Sequence, residues 1–238
     1  MEFTFPAIGL IHSCFKEKFG IPRQPGLAPL ARGRLELLPP YNDPQALVGL
    51  ENTSHLWVQF VFHANRREDW KPRVKAPRLG GNKTLGVFAT RSPVRPAPIG
   101  LSVVKLEGIT QEGERLFLEL SGVDMLDGTP VLDIKPYVPY VDAVPDAINR
   151  FADEPPAHLA VTFSETAEGQ LAARNQSHLR ELIVQLLQQD PRPSYQTPEP
   201  ERTYGMQLGD DNLRWHYRPL AEGGWCIQVM ELLPLSER

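Results

Sequence analysis

Cysteine is scarce in this chain of 238 residues: Cys14 and Cys226 are the only two, and they lie far apart in sequence. That usage excludes a multi-disulfide scaffold and any zinc or redox site built on a CxxC pair, and it fits a reducing compartment. Also missing is any run of about 18 apolar residues, so no transmembrane helix is expected. The amino terminus, Met-Glu-Phe-Thr-Phe-Pro, has neither a basic n-region nor a long apolar stretch, and the chain is expected to be cytoplasmic. No GxGxxG occurs, and the six histidines show no spacing such as HExxH, so neither a Rossmann site nor a metal is expected.

A βαβ rhythm is absent as well. Short β-rich runs punctuated by proline and glycine fill the first 140 or so residues: Phe3 to His12, Arg34 to Leu38, His55 to His63, Leu85 to Thr90, Ile99 to Gly108, Arg115 to Leu120 and Val131 to Lys135. With 24 prolines available to break helices, a closed or nearly closed β-barrel is the expected architecture. In His55 to His63, strict alternation puts Leu56, Val58, Phe60 and Phe62 on a core face and leaves His63 at the strand end.

From Asp142 to Pro156 the text turns rich in proline, alanine and aspartate, which marks a boundary between a unit at 1–145 and a second one at 155–238. The second unit reads as small α+β. It has a strand near Leu159 to Phe163 and a helix in which Leu179, Leu182, Ile183, Leu186 and Leu187 share one face. Asp190-Pro191 stops that helix, and strands follow near Tyr204 to Leu208, Leu213 to Arg218 and Trp225 to Leu232. The fold class expected is therefore mainly β: a non-Rossmann barrel with a small carboxy-terminal α+β domain.

A net charge of −4 argues against a polyanion only if charge is evenly spread. Residues 66–95 instead hold nine basic side chains against two acidic ones, a local net of +7, leaving −11 on the other 208 residues. Charge runs of this kind are either solvated faces or footprints for phosphate. Inside the run, Gly80-Gly81-Asn82-Lys83-Thr84 imitates a phosphate loop only superficially: Asn82 replaces a required glycine, and a β-like segment follows where a helix is needed.

The segment Gly86-Val87-Phe88-Ala89-Thr90-Arg91-Ser92-Pro93-x-Arg95-Pro96-x-Pro98-Ile99-Gly100 packs glycine, arginine and proline around a strand more densely than folding requires. It resembles the signature of the TsaA-like tRNA (adenine-N6)-methyltransferases. The likeness extends through Pro22-Arg23-Gln24-Pro25-Gly26, His55-Leu56-Trp57, Asp124 to Pro130 and Asp133 to Tyr137, and through Asp190-Pro191-Arg192-Pro193-x-Tyr195 in the tail. One departure is Ala97, where many members carry asparagine.

The resemblance implies a β-barrel methyltransferase, commonly a homodimer, that uses S-adenosylmethionine without a Rossmann domain. It would methylate N6-threonylcarbamoyladenosine at position 37, next to the anticodon of tRNA. By matching position, it places the cofactor against Pro22, Arg23 and Gln24, His63 and Ala64, Arg91, Leu101, and Asp124, Met125, Leu126 and Asp127. The chemistry agrees: Arg23 or Arg91 suits a carboxylate, and an aspartate suits a ribose or an ammonium group. Asp127-Gly128 also reads as an ordinary hairpin turn.

With RNA as partner, the basic run gains a role. Arg66, Arg67, Lys71, Arg73, Lys75 and Arg78, with Trp70 among them, suit phosphates and unstacked bases, and Arg192 and Tyr195 lie in the tail motif. No catalytic base is assigned; Lys135 and Tyr137 are candidates to test, and alignment alone supplies much of such a barrier. The rival from another class is a non-catalytic module that senses S-adenosylmethionine or binds RNA.

Overall fold

A computed structural model describes residues 1–65, 70–75, 84–152, 154–174, 177–193 and 196–235. Its strands in the first part are β1 (Gly9–Ser13), β2 (Arg32–Leu37), β3 (His55–Val61), β4 (Arg73–Lys75), β5 (Thr84–Gly86), β6 (Ile99–Glu112), β7 (Arg115–Ser121) and β8 (Thr129–Pro136). Six of them close an antiparallel barrel in the order β1-β2-β7-β6-β3-β8, with β8 returning to β1. Closure leaves the barrel without an unpaired strand edge. The hairpin β4-β5 stands apart as a two-stranded sheet.

Alternation decides which side chains fill the barrel. Leu56, Val58 and Phe60 of β3 are buried, and Gly100, Ser102, Val104 and Leu106 of β6 face the same interior. Each fully buried Leu, Val or Phe contributes about 1.5–3 kcal/mol relative to an exposed one. Gly100 pairs with Phe60, and a Cβ at that position would sit 2.2 Å from Phe60 Cζ, so the ring occupies the space a side chain would need.

The strand expected from Leu85 to Thr90 is a correction. Pairing ends at Gly86, and Val87–Ala89 form a 3-10 turn closed by Thr90, whose amide and hydroxyl both donate to Val87 O at 3.1 and 2.8 Å. That local bond turns the chain away from the ladder. Similarly, β3 gives way after Val61 to a 3-10 turn at His63–Asn65, and the first strand starts at Gly9 rather than Phe3.

Beyond the short helix α1 (Pro139–Asp142), the carboxy-terminal unit contains β9 (Val161–Phe163), α2 (Glu165–Ala173), α3 (Ser177–Leu187), β10 (Tyr204–Leu208), β11 (Asp211–Pro219) and β12 (Trp225–Pro234). Its sheet runs β10-β11-β12-β9, with β9 parallel to β12. Helix α3 buries Ile183, Leu186 and Leu187, as its period demands. Helix α2 escaped the sequence pattern because only Ala167 and Leu171 are buried on it; Ser164 caps it by accepting from Ala167 N at 3.1 Å.

The two units share one continuous buried cluster. The segment after β1 is the joint. Gly209 N donates to Cys14 O at 2.8 Å, Phe19 stacks on Trp215 with centroids 6.1 Å apart, and Gln189 Nε2 donates to Leu27 O at 2.8 Å. Among the described residues no helix is long and apolar enough to cross a membrane.

Candidate functional site

The antiparallel registers bring one set of ends together. Val61 at the end of β3 pairs with Ile99 at the start of β6, and Phe60 pairs with Val131 near the start of β8. Ile11, near the end of β1, pairs with Thr129, the first residue of β8. At this mouth lies a cavity of about 720 Å³.

Four segments line it. Pro22, Arg23 and Gln24 come from the loop after β1, and His63 and Ala64 from the turn after β3. Arg91 and Leu101 come from the segment that leads into and begins β6. Asp124, Met125 and Leu126 come from the loop between β7 and β8. Residues up to about 100 positions apart in sequence thus meet because the barrel gathers loops at one end, where a rigid scaffold commonly presents binding groups.

Asp127 is placed otherwise. Its Oδ1 accepts from Ser13 N at 2.9 Å and its Oδ2 pairs with Lys16 Nζ at 2.7 Å, outside the cavity lining. Its neighbour Gly128 has φ +73, which few other residues adopt, and the Asp-Gly turn aims the Asp127 carboxylate at Ser13 and Lys16. The Asp-Gly turn and the lining run Asp124 to Leu126 coexist in one loop.

The strongest polar feature of the cavity is Asp124. Ser102 Oγ donates to its Oδ1 at 2.7 Å. Burial pushes the carboxyl up to about 6, opposed by the Ser102 hydroxyl, its own backbone amide and the positive charge of Arg91. A partly shielded carboxylate near a guanidinium accepts hydrogen bonds from a cationic or hydroxyl-bearing ligand. Ser102 was not singled out from sequence, although a serine on the interior face of β6, between Gly100 and Val104, signals a buried hydroxyl in need of a partner.

The cations are arranged around that carboxylate. Arg91 Nη1 donates to Gln24 Oε1, and Arg95 Nη1 donates to Thr90 O at 3.1 Å. Arg23 Nη2 donates to the carbonyl oxygens of Asp190 and Arg192 at 3.2 and 2.8 Å, which ties this wall to the carboxy-terminal unit. Trp57, Phe60 and Phe62 supply an aromatic floor, with Phe60 and Phe62 edge to face at 5.1 Å. A carboxylate, several cations and flat apolar walls suit a ligand that joins a ring system, hydroxyls and an amino-acid end.

Neither Lys135 nor Tyr137 lines the cavity. Lys135 Nζ pairs with Asp133 Oδ2 at 2.7 Å, and the Tyr137 ring lies 5.9 Å from that of Trp57. Among the described residues no three His, Cys, Asp or Glu side chains come together as a metal set.

Of the basic run, Lys71, Arg73 and Lys75 are exposed, the last two on β4, and Trp70 beside them is half exposed. Arg66, Arg67, Arg78, Tyr195 and Gly80 to Lys83 lie outside the described residues. Arg192 is turned inward: its side chain is 13% exposed, pairs with Asp190 at 2.8 Å and lies over the Tyr217 ring. Its guanidinium lies within the tail turn, with Nε buried and without a hydrogen-bond partner among the described residues.

Comparison with known proteins agrees along the chain. The family "tRNA-methyltransferase O N-terminal domain" matches residues 10–143, and "TrmO C-terminal domain" matches residues 156–233. A Pseudomonas aeruginosa protein named "Putative S-adenosylmethionine-dependent methyltransferase RcsF" is 56% identical, over 91% of this chain and 94% of its own. The Escherichia coli (strain K12) "tRNA (adenine(37)-N6)-methyltransferase" is 47% identical, over 97% and 98%. A crystal structure of TrmO from Pseudomonas aeruginosa superposes with a TM-score of 0.78 at 49% identity, covering 98% of each chain.

Proposed function

The chain belongs to the TrmO family and is an S-adenosylmethionine-dependent tRNA (adenine(37)-N6)-methyltransferase, and we propose that its acceptor is N6-threonylcarbamoyladenosine next to the anticodon. The observation that carries this reading is the cavity at the barrel mouth, where Arg23, Gln24, His63, Arg91 and Asp124 meet an aromatic floor.

The donor set fits the cofactor. Arg91 or Arg23 suits the carboxylate of the amino-acid tail, and Asp124 suits the ammonium group or the ribose diol. Trp57 and Phe62 suit the adenine, with Pro22, Ala64, Leu101, Met125 and Leu126 closing around it. When bound, S-adenosylmethionine would supply an electrophilic sulfonium methyl, the acceptor nitrogen forming the N–C bond as the C–S pair leaves with sulfur and the N6 proton passing to water.

The acceptor nitrogen belongs to a urea-like group whose lone pair is delocalised. Positioning is therefore the main contribution asked of the protein; effective alignment is worth about 7–11 kcal/mol in favourable cases. Lys71 and Arg73 hold the tRNA backbone, with Arg66, Arg67 and Arg78 from the same run, and Lys75 completes the RNA-facing set. The chain works in the cytoplasm as a homodimer; the exposed apolar side chains Tyr140, Val141, Val144 and Ile148 supply a face for a second copy.

The test is direct. Purified protein is given methyl-labelled S-adenosylmethionine and tRNA with or without threonylcarbamoyladenosine, and the nucleosides are resolved by mass spectrometry. Label at N6 of the threonylcarbamoyl nucleoside is expected; label only on unmodified adenosine, or none, would sink the reading.

A further inference from the structure

A second cavity, of about 1000 Å³, adjoins the one at the barrel mouth. The two share Arg23, Gln24, Arg91 and Pro93, so a single wall separates their contents. The rest of the second cavity is different in character. Leu85 and Phe88 flank the turn that carries Arg91, Phe151 comes from the segment after α1, and Lys75 stands on β4. Phe88 is 75% exposed and Phe151 is 52% exposed, so two large aromatic faces are left to solvent by the fold itself.

We propose that this second cavity receives the target nucleoside, unstacked from the RNA, with its base against Phe88 and Phe151 and the carboxylate of its N6 substituent at Lys75. The inference rests on threonylcarbamoyladenosine being the acceptor. Three features support it. Acceptor nitrogen and donor methyl carbon must approach to about 3–3.5 Å, so the two ligands must occupy adjoining spaces, and this cavity shares the wall of the cofactor site. Enzymes that act on a base take it out of its stack, and aromatic side chains replace the lost stacking. A carboxylate at the far end of the substituent calls for a cation away from the methyl donor, which Lys75 supplies.

The polar groups of the lining complete the match. Ser92 Oγ accepts from Val94 N and Asn149 Oδ1 accepts from Phe151 N, which leaves the Ser92 hydroxyl proton and the Asn149 amide donors to offer a base edge or a hydroxyl. Phe88 lies within the glycine, arginine and proline segment, yet neither the barrel core nor the cofactor site uses its ring.

The test compares binding of tRNA carrying threonylcarbamoyladenosine with binding of the same tRNA carrying plain adenosine, using full-length protein and filter binding in the presence of S-adenosylhomocysteine. The wild type is expected to favour the modified tRNA by about tenfold, on the scale of an ion pair with the carboxylate that plain adenosine lacks, the stacked base holding that carboxylate in place. Phe88→Ala with Phe151→Ala should bring that ratio close to one, and Lys75→Gln should lower it part of the way. Calorimetric affinity for S-adenosylmethionine should stay within twofold in every variant, which also reports that the barrel is folded.

A ratio unchanged in the double variant overturns the inference, as does a wild-type ratio of one. A double variant that loses dimerisation in sedimentation but keeps the ratio assigns the two rings to a second copy of the chain, which also overturns it. Failure of the underlying reading looks different: wild type that transfers no methyl group to the modified tRNA.

Discussion

Ser102 Oγ and Asp124 Oδ1 lie 2.7 Å apart, joining the interior face of β6 to the loop between β7 and β8. The bond fixes the direction of a carboxylate that burial holds at about 6. Because the cofactor's ammonium or ribose favours the ionised form, binding below that value must first expel a proton.

The first prediction is a pH dependence of cofactor binding. Affinity for S-adenosylmethionine, followed by calorimetry, should be level above about pH 7 and fall as pH drops through about 6, by up to tenfold per unit. Ser102→Ala removes a donor that favours the charged form, so the fall should begin at higher pH. Asp124→Asn should weaken binding and flatten the profile; an equally steep profile in that variant would remove Asp124 from the argument.

The same group has the opposite effect on stability. Its folded value lies above the ordinary carboxylate value of 3.8, so the folded chain binds more protons between 3.8 and about 6, and Asp124 lowers stability as pH rises through that window. Asp124→Asn should therefore raise the Tm at pH 8 and leave it near the wild type at pH 4. Thermal unfolding at the two pH values checks this.

Glu36 sets a contrasting acid limit. Arg115 and His12 hold its carboxyl down to about 2, from an ordinary 4.5, through hydrogen bonds of 2.7–2.8 Å. A depressed carboxyl contributes stability that is present above 4.5 and lost as pH falls toward about 2. Glu36→Gln should flatten the dependence of Tm on pH in that interval, with little change in its slope above pH 5.

Gly100→Ala tests the link between packing and the site. Since the added methyl meets the Phe60 ring at 2.2 Å, a cost of about 1–3 kcal/mol is expected in denaturant unfolding. Phe60 is also part of the cavity floor, so cofactor affinity should fall as well. Gly108→Ala, on the same strand where a Cβ meets nothing within 4 Å, serves as the control.

For the RNA surface, reversing Lys71 and Arg73 to glutamate should weaken tRNA binding, and each lost phosphate contact should reduce the salt slope by about 1. Cofactor affinity should not move. An unchanged slope would take the exposed face of β4 out of the tRNA contact.

Much of the barrel was legible because alternation is a local property. The β3 run Leu56, Val58, Phe60 declared its buried face, and the helix of Leu179 to Leu187 declared its own. The strand at Leu85 to Thr90 was over-read because Thr90, a good strand residue, spends its hydroxyl on Val87 O and closes a turn instead. The site was legible only in part. Ten of the eleven residues that the resemblance assigned to the cofactor line one cavity, whereas Ser102 and the exposed rings of Phe88 and Phe151 acquire meaning only once the loops are gathered in space. Arg192 shows the converse: a cation conspicuous in sequence that the fold consumes internally.

Arg23 grips the carbonyls of Asp190 and Arg192 from the same loop that walls the candidate cofactor cavity. That clasp of side chain and backbone bypasses the connection between the two units, so the wall of the cavity and the tail turn are built on one guanidinium.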